Sequence, residues 1–253
     1  MREAGARPAG RRPPAEAARL RLAQARRVVA LTGPGLAPGD AIPAFSACGT
    51  RFGGRSVAAV AAPGPFFEDP VAVWRWYDER RQLLAAVRPG AAHRALAGAE
   101  RRAETFTLVT ECVDGLHRSA GNRNVLELRG SIWQIQCTLC GLRSVNREVP
   151  IPMPPSCPVC TGLARPGIVW QGEQVPRDLL VRSFEALRRC DVLIVAGSPS
   201  RLQPAAAFVA VARRAGAYIV EVAGAPDEGG SPADLLLAGD PGEILSSLVS
   251  EGR

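Results

Sequence analysis

Four cysteines form two pairs whose spacing suits the binding of one metal ion. Cys137 and Cys140 enclose two residues, as do Cys157 and Cys160, and sixteen residues separate the two pairs. Zn²⁺ prefers four tetrahedral thiolates, and each short knuckle offers two of them. Since four protein ligands leave no position for water, the predicted site is structural. Two pairs of unrelated thiols are the alternative, and a redox-active pair is disfavoured because no strand–helix pattern follows either knuckle.

The composition limits the class of protein. The 253 residues can bury a full core, either as one large domain or as one domain that carries an insert. No apolar run reaches the roughly 18 residues of a membrane span, and no secretory signal is visible. Seven cysteines, four of them assigned to metal, fit a reducing compartment better than a disulfide scaffold. We therefore expect a cytoplasmic protein with no membrane partner.

The net charge of +7 does not indicate a nucleic-acid partner. All 31 basic residues are arginine, and they are spread along the chain among acidic residues instead of clustering with aromatic ones. Residues 1–14 are rich in Arg, Pro, Ala and Gly, and we expect them to be a disordered tail. A transit peptide would carry more serine and a cleaner amphipathic face.

Short apolar strands alternate with helices along most of the chain, which predicts an α/β fold with a Rossmann-type, doubly wound parallel sheet. The first strand runs into the glycine-rich turn of residues 32–35, the usual beginning of a nucleotide-binding unit. The expected strands are Val28–Leu31, Phe106–Thr110, Val125–Leu128, Val192–Ala196 and Tyr218–Val222. The expected helices are Ala15–Arg27, Ala91–Arg102, Arg177–Arg189, Pro204–Ala215 and Gly242–Leu248.

Two segments interrupt this alternation and predict a smaller inserted domain. Residues 46–88 form a helical insert, and residues 131–166 form a zinc-ribbon module that contains the four cysteines. The Rossmann-type domain then comprises residues 15–45, 89–130 and 167–253.

A series of motifs follows in order along the chain. They are Leu31-Thr-Gly-Pro-Gly-Leu-Ala37, Ala41-Ile-Pro-Ala-Phe45, Thr110-Glu-Cys-Val-Asp-Gly-Leu-His117, Leu128-Arg-Gly-Ser131, Arg165-Pro-Gly-Ile-Val-Trp-Gln-Gly-Glu173 and Ala196-Gly-Ser-Pro-Ser200. This series resembles the sirtuins, the NAD-dependent protein deacylases, over roughly residues 20–248. The resemblance implies an NAD domain, a small zinc domain and an acyl-lysine tunnel between them. The NAD contacts that it implies are Gly33, Gly35, Phe45, Glu111, Cys112, Asp114, Gly197, Ser198 and Ala223, and the implied substrate contacts include Gly172 and Glu173.

The chain departs from the sirtuin pattern at the catalytic base. The family places this histidine in a His-Gly-Ser triplet, and the triplet here is Arg129-Gly130-Ser131. An arginine stays protonated at physiological pH and cannot accept a proton. Since general base catalysis contributes ~10²–10⁴-fold, the ordinary reaction is expected to be lost or altered.

Other departures also fall on positions that handle NAD. Cys112 stands where the family has asparagine, and Ala223 stands where it has another asparagine. Pro34 removes one backbone N–H from the phosphate loop, and Ser46 replaces an arginine. His117 and Glu111 remain as groups that could substitute as acid or base, although packing is the favoured role of His117.

A Tyr-x-x-Arg pair on a predicted helix concerns the acyl group. Tyr77 and Arg80 share a helix face and resemble the pair of the sirtuin class that prefers succinyl, malonyl and glutaryl lysine. A guanidinium suits a carboxylate, and a phenol adds a hydrogen bond. The alternative is a solvated helix whose tyrosine is half in the core.

Three functions are compatible with these residues. The first is a deacylase for acidic acyl groups with an unorthodox site, and the second is a silent sirtuin that binds an acylated protein, a nucleotide or a partner subunit. The third is another NAD-consuming activity, ADP-ribosyl transfer or glycohydrolysis. We favour a maintained fold with lost or altered catalysis, because the zinc ligands and core strands are intact. The partner is then an acylated protein lysine or a partner protein, and the oligomeric state stays open.

Overall fold

A computed structural model describes residues 14–36, 51–52, 55–56, 60–170, 172–197, 204–224 and 231–250. The predicted tail lies outside these ranges except for Pro14, where the first helix begins. The predicted cofactor contacts Phe45 and Ser198 also lie outside the described residues.

The described residues alternate between strands and helices along most of the chain. In chain order the strands are β1 Arg27–Thr32, β2 Arg51–Phe52, β3 Arg55–Ser56, β4 Thr105–Thr110, β5 Val125–Glu127, β6 Gly130–Cys137, β7 Arg143–Val145, β8 Ala164–Ile168, β9 Val192–Ala196, β10 Tyr218–Ala223 and β11 Leu235–Ala238. The helices are α1 Pro14–Gln24, α2 Pro63–Glu68, α3 Pro70–Ala85, α4 Ala91–Arg102, α5 Leu116–Ser119, α6 Arg177–Leu187, α7 Ala205–Arg214 and α8 Pro241–Val249.

Six parallel strands form the central sheet, in the order β11-β10-β9-β1-β4-β5. From β1 the chain moves to β4 and β5 on one side, and later to β9, β10 and β11 on the other. The strand order therefore reverses between β1 and β9. Thr32 at the end of β1 is in register with Thr110 of β4 and with Ala196 of β9. The carboxyl ends of these three strands meet at one edge of the sheet.

Helices cover both faces of this sheet, because the side chains of each strand alternate between two cores. Val28 and Ala30 of β1 join the core that α1, α4 and α8 cover. Val29 and Leu31 join the opposite core, which α6 and α7 cover. The doubly wound, Rossmann-type architecture predicted from the sequence is confirmed.

A second, antiparallel sheet has the order β7-β6-β8 and shares a separate core with α2 and α3. Trp74 and Tyr77 of α3 pack there with Trp133 of β6 and with Trp170, and all four are buried. The helical insert and the cysteine-bearing strands therefore share one hydrophobic core. The boundaries predicted for the two domains remain a proposal.

Arg81 links α3 to the antiparallel sheet from inside the protein. Its side chain is completely enclosed, and its guanidinium donates hydrogen bonds to the carbonyl oxygens of Ile132 (3.3 Å), Asn146 (2.9 Å) and Glu148 (3.0 Å). A single arginine thus satisfies three backbone acceptors on β6 and on the segment after β7.

Within the described ranges, no helix combines the length and the apolar character that a bilayer span requires.

Candidate functional site

Two turns face each other where the strand order reverses. The N–H of Gly33, just after β1, donates to the carbonyl oxygen of Ala196 at 3.1 Å, and the N–H of Gly35 donates to that of Gly197 at 2.9 Å. In open α/β sheets, ligands bind in the crevice outside the carboxyl ends of the strands at this switch point. The candidate site is therefore the crevice bounded by the turns after β1 and β9.

Glycine allows these turns to approach closely. Gly197 has a φ of +66°, and a Cβ on it would lie 2.4 Å from the backbone nitrogen of Leu36. The N–H of Leu36 donates to the carbonyl oxygen of Gly33, and Pro34 has no N–H. Since the N–H groups of residues 33, 35 and 36 are all used inside the fold, this turn contributes its shape to the site.

A chain of hydroxyl and imidazole groups lies buried beneath the crevice. The Thr32 hydroxyl donates to that of Thr110 at 2.8 Å and lies 2.9 Å from Nε2 of His117. Burial lowers the pKa of His117 to about 3, so this imidazole is neutral at physiological pH.

Glu111 follows β4 at the same edge of the sheet, and its N–H donates to the carbonyl oxygen of Thr32 at 3.0 Å. Its Oε1 is enclosed and has no hydrogen-bond partner among the described residues. Burial raises the pKa of this carboxyl group, and the positive charge of Arg129 acts in the opposite direction. Arg129 is exposed on the turn between β5 and β6, where its carbonyl oxygen accepts the N–H of Val169 at 2.9 Å.

The four cysteines of the two knuckles come together in one cluster. Their sulfur atoms all lie within 4.8 Å of one another. Sγ of Cys137 is 3.4 Å from that of Cys160, and Sγ of Cys140 is 3.7 Å from that of Cys157. Tetrahedral Zn–S bonds of 2.3 Å place sulfur atoms about 3.8 Å apart, so the cluster fits a zinc ion.

Backbone N–H groups support the thiolate form of two of these ligands. The N–H groups of Leu139 and Cys140 donate to Sγ of Cys137, and that of Val159 donates to Sγ of Cys157. These bonds lower the pKa of both thiols, to about 6 for Cys137. The predicted structural zinc site agrees with this geometry.

Comparison with known proteins agrees with the fold. The model of the Sir2 family matches residues 33–204. The chain belongs to the Sir2 family. It is 39% identical over 209 residues, 82% of this chain and 86% of the relative, to "NAD-dependent protein deacylase 1" of Caldanaerobacter subterraneus. It is 40% identical over 196 residues, 77% of this chain and 82% of the relative, to an NAD-dependent protein deacylase of Aquifex aeolicus.

Solved structures of the Sir2 family share the whole architecture. A Sir2 homologue in complex with NAD has a TM-score of 0.81 and 37% identity, with 92% of each chain covered. A Sir2 protein bound to a myristoylated histone peptide has a TM-score of 0.71 and 28% identity, covering 93% of this chain and 94% of that chain.

Two of the residues predicted to contact NAD, Cys112 and Asp114, have buried side chains. Cys112 is buried, its N–H donates to the Thr110 hydroxyl at 3.0 Å, and burial raises the pKa of its thiol. Asp114 is also buried and accepts the N–H of Leu116 at 2.8 Å, so its side chain holds the turn before α5. Ala223 ends β10 at the edge of the sheet that bears the crevice. Their roles toward NAD stay predictions.

Of the predicted acyl-binding pair, Tyr77 lies in the core of the smaller sheet and Arg80 is half-buried beside it. Tyr77 is fully buried, and its hydroxyl accepts a hydrogen bond from Nε1 of Trp170 at 2.7 Å. The guanidinium carbon of Arg80 lies 3.3 Å from the centre of the Trp76 ring, and Nη1 donates to the Trp76 carbonyl oxygen. In this conformation the phenol offers no exposed surface to an acyl group.

The loop that carries Gly172 and Glu173 is tied to β8. The carboxylate of Glu173 accepts two hydrogen bonds from Arg165, at 2.6 and 2.9 Å, and a third from the N–H of Trp170 at 2.8 Å. Gly172 has a φ of +84° with open space around it. The Glu173 side chain therefore holds the loop in place. Contact of this loop with substrate stays a prediction, and Gly172 is the more accessible of the two residues.

Three arrangements were not expected from the sequence: the Thr32–Thr110–His117 chain, the Arg81 links and the Arg165–Glu173 pair. Of the three, only the Arg81 links could have been inferred from residue spacing. Arg81 lies seven residues after Trp74 and four after Tyr77, which places it on the same buried face of the helix.

Proposed function

We propose that this chain is an NAD-dependent protein-lysine deacylase whose catalytic site differs from that of other sirtuins. The observation that carries the proposal is the pair of turns at Gly33 and Gly197, which meet at the switch point of the parallel sheet. Relatives named NAD-dependent protein deacylases match more than three quarters of the chain. The chain thus keeps the frame in which that family holds its cofactor.

The described residues fit the ribose portion of NAD. The enclosed and unpartnered Oε1 of Glu111 is an acceptor that a ribose hydroxyl would satisfy. When bound, NAD supplies an electrophilic ribose carbon with nicotinamide as the leaving group. The side chains around it must then bind the ribose, exclude water and accept one proton.

The arginine at residue 129 is what distinguishes the catalytic site of this chain from that of other sirtuins. Arg129 is exposed on the turn before β6 and carries a permanent positive charge. It can bind an anionic group or stabilise developing negative charge, but it cannot take a proton from a hydroxyl. We therefore assign altered catalysis to this chain.

The zinc centre has a structural role in this proposal. The four cysteines supply every ligand of a tetrahedral ion, so the metal would hold β6 and the two knuckles together without touching substrate.

We also propose that the site prefers acidic acyl groups such as succinyl and malonyl. The charges of Arg165 and Arg80 both act on the Tyr77 hydroxyl, so a carboxylate near this phenol would meet two guanidinium groups. Tyr77 must first become accessible, because no part of it is exposed.

The deciding experiment is calorimetry of NAD binding to the zinc-loaded protein, followed by mass spectrometry of peptide deacylation with acetyl-lysine and succinyl-lysine. We expect NAD to bind in the micromolar range and a slow turnover that is faster for the succinyl peptide. Absence of NAD binding at millimolar concentration would refute the proposal. Release of nicotinamide that does not depend on peptide would instead indicate a glycohydrolase.

The Arg129→His variant then tests whether residue 129 is the position at which the catalytic base is missing. Arg123→His is the matched control. Both arginines are exposed, so neither change should disturb folding. We expect faster deacylation in Arg129→His alone. Equal rates in the two variants would contradict the assignment of residue 129.

A further inference from the structure

We propose that the Glu111 carboxylate is the general base of this site and accepts the proton of a substrate hydroxyl. This inference rests on the proposed function, because it needs a ribose hydroxyl in the crevice. It places the base directly after β4, away from the β5–β6 turn where other sirtuins carry their histidine.

The location of Glu111 is fixed by the backbone. Its N–H is bonded to the carbonyl oxygen of Thr32, so it lies directly beside the turn that bounds the crevice. The preceding Thr110 is in register with Thr32 and shares a hydroxyl–hydroxyl bond with it. The carboxylate is thus attached to a backbone that is hydrogen-bonded to β1, which favours a defined position for a reacting group.

The unpartnered oxygen is the observation that points to a ligand. Buried side-chain oxygen atoms in folded proteins nearly always have a hydrogen-bond partner, since an unsatisfied one is costly. Oε1 of Glu111 is enclosed without a partner among the described residues. A ligand hydroxyl that donates to it would remove this cost.

The charges around Glu111 suit a base. Burial raises the pKa of its carboxyl group, which brings it closer to the range in which a group both loses and gains a proton near neutral pH. The positive charge of Arg129 favours the ionised form and so keeps the carboxylate ready to accept. The burial of Glu111 and the positive charge of Arg129 therefore complement each other.

His117 cannot perform this task. Its Nε2 is occupied by the Thr32 hydroxyl at 2.9 Å, and its Nδ1 is enclosed beside the ring of His93. Burial lowers its pKa to about 3, so it is a much weaker acceptor than Glu111.

The proton transfer is balanced without any further reactant. The O–H bond of the hydroxyl breaks, the proton goes to the Glu111 carboxylate, and the electron pair stays on the hydroxyl oxygen. With NAD and an acyl-lysine bound, that oxygen would use the pair to bond to the acyl carbon, whose π bond would open and pass its pair to the attached heteroatom. Nothing is oxidised or reduced.

The test uses the full-length, zinc-loaded protein and the variants Glu111→Gln and Glu111→Gln/Arg129→His. Glutamine has the size of glutamate and accepts a hydrogen bond, but it is not a base. We expect Glu111→Gln to bind ADP-ribose within about threefold of the unchanged protein and to lose ~10²–10⁴-fold in deacylation. The double variant should regain most of this loss, because the imidazole at residue 129 replaces the missing base.

Glu185→Gln on the exposed face of α6 is the matched control and should leave both quantities unchanged. Glu111→Asp keeps the carboxylate and should retain part of the activity if Glu111→Gln folds poorly. Unaltered deacylation in Glu111→Gln would overturn the assignment, as would binding of NAD by the unchanged protein without turnover. Failure of the unchanged protein to bind NAD would remove the proposed function and this inference together.

Discussion

The rings of His93 and His117 stack inside the Rossmann-type core, with centroids 4.7 Å apart at an angle of 50°. Both side chains are almost completely buried, and neither nitrogen of His93 has a hydrogen-bond partner among the described residues. Burial lowers the pKa to about 4 for His93 and to about 3 for His117. Two neutral imidazoles are thus enclosed in the wall beneath the candidate site.

This pair predicts a loss of stability in mild acid. In the unfolded chain both imidazoles bind protons near pH 6.5, whereas in the folded chain they do so only near pH 4 and below. The contribution of the two neutral imidazoles to the free energy of unfolding is fully present above about pH 6.5. It is lost as the pH falls toward their pKa values in the folded chain. We expect the free energy of unfolding to decrease by on the order of 2–5 kcal/mol between pH 7 and pH 4.5, measured by urea denaturation.

The His93→Phe variant separates this effect from other titrations. Phenylalanine keeps an aromatic ring against His117 and removes two unsatisfied nitrogen atoms, so stability at pH 7 should be equal or higher. The decrease in acid should become smaller. An acid profile identical to that of the unchanged protein would show that His93 does not carry the effect.

The sequence predicted the parallel sheet well because its strands are buried apolar runs. Val192–Ala196 and Ala91–Arg102 have the predicted bounds, and the other central elements differ by a few residues at their ends. β11 was missed because Leu235–Ala238 is a short edge strand that is only partly buried. β8 was missed because Pro166 and Gly167 disfavour a strand, and it pairs with β6 across a shift in register.

The candidate site was predicted less completely, for reasons that lie in tertiary structure. The sequence pointed to Arg80 as the functional arginine of α3, yet its neighbour Arg81 is the one enclosed by backbone acceptors. Likewise, nothing in the sequence shows that Arg165 occupies the carboxylate of Glu173. Such pairings depend on how β6, β8 and α3 pack, which local patterns do not encode.

Zinc removal should unfold the smaller sheet while the central sheet persists. All four tryptophans of the chain lie in the hydrophobic cluster shared by α3 and β6, so tryptophan emission reports on this part alone. Metal binding supplies roughly 10–16 kcal/mol in small zinc modules. We expect a chelator to shift the emission to longer wavelength, while much of the far-ultraviolet circular dichroism signal remains.

Two cysteine variants provide the matched comparison for that experiment. Cys140→Ser should abolish binding of one zinc ion per chain, because it removes a ligand. Cys190→Ser changes a buried thiol outside the four-cysteine cluster and should keep the metal. Equal zinc content in the two variants, measured by atomic emission, would exclude the assigned centre.

Loss of Arg81 should destabilise the smaller sheet strongly. Arg81→Ala leaves the carbonyl oxygens of Ile132, Asn146 and Glu148 without this donor, and we expect a cost of about 3–5 kcal/mol. Arg75→Ala, on the exposed side of the same helix, should change stability by less than about 0.5 kcal/mol. Urea denaturation followed by tryptophan emission gives both values, and similar midpoints for the two variants would contradict the role assigned to Arg81.

The close approach of the two turns at the crevice can be tested with a pair of glycines. Gly197 and Gly216 both have positive φ, 66° and 83°, so an alanine at either position costs about 1–2 kcal/mol of backbone strain. At Gly216 nothing lies within 4 Å of the added Cβ, whereas at Gly197 it would meet the Leu36 nitrogen at 2.4 Å. We therefore expect Gly197→Ala to cost a further 1–3 kcal/mol or so and to push the turn of residues 33–36 away.

Because that turn bounds the candidate site, Gly197→Ala should also weaken ADP-ribose binding at least about tenfold, while Gly216→Ala should bind normally. Thermal unfolding gives the stability of each variant, and calorimetry gives the affinity. If Gly197→Ala is less stable than Gly216→Ala but binds ADP-ribose equally well, the nucleotide does not occupy the crevice between the β1 and β9 turns. The affinity difference between these two variants is thus a direct measure of where the cofactor lies.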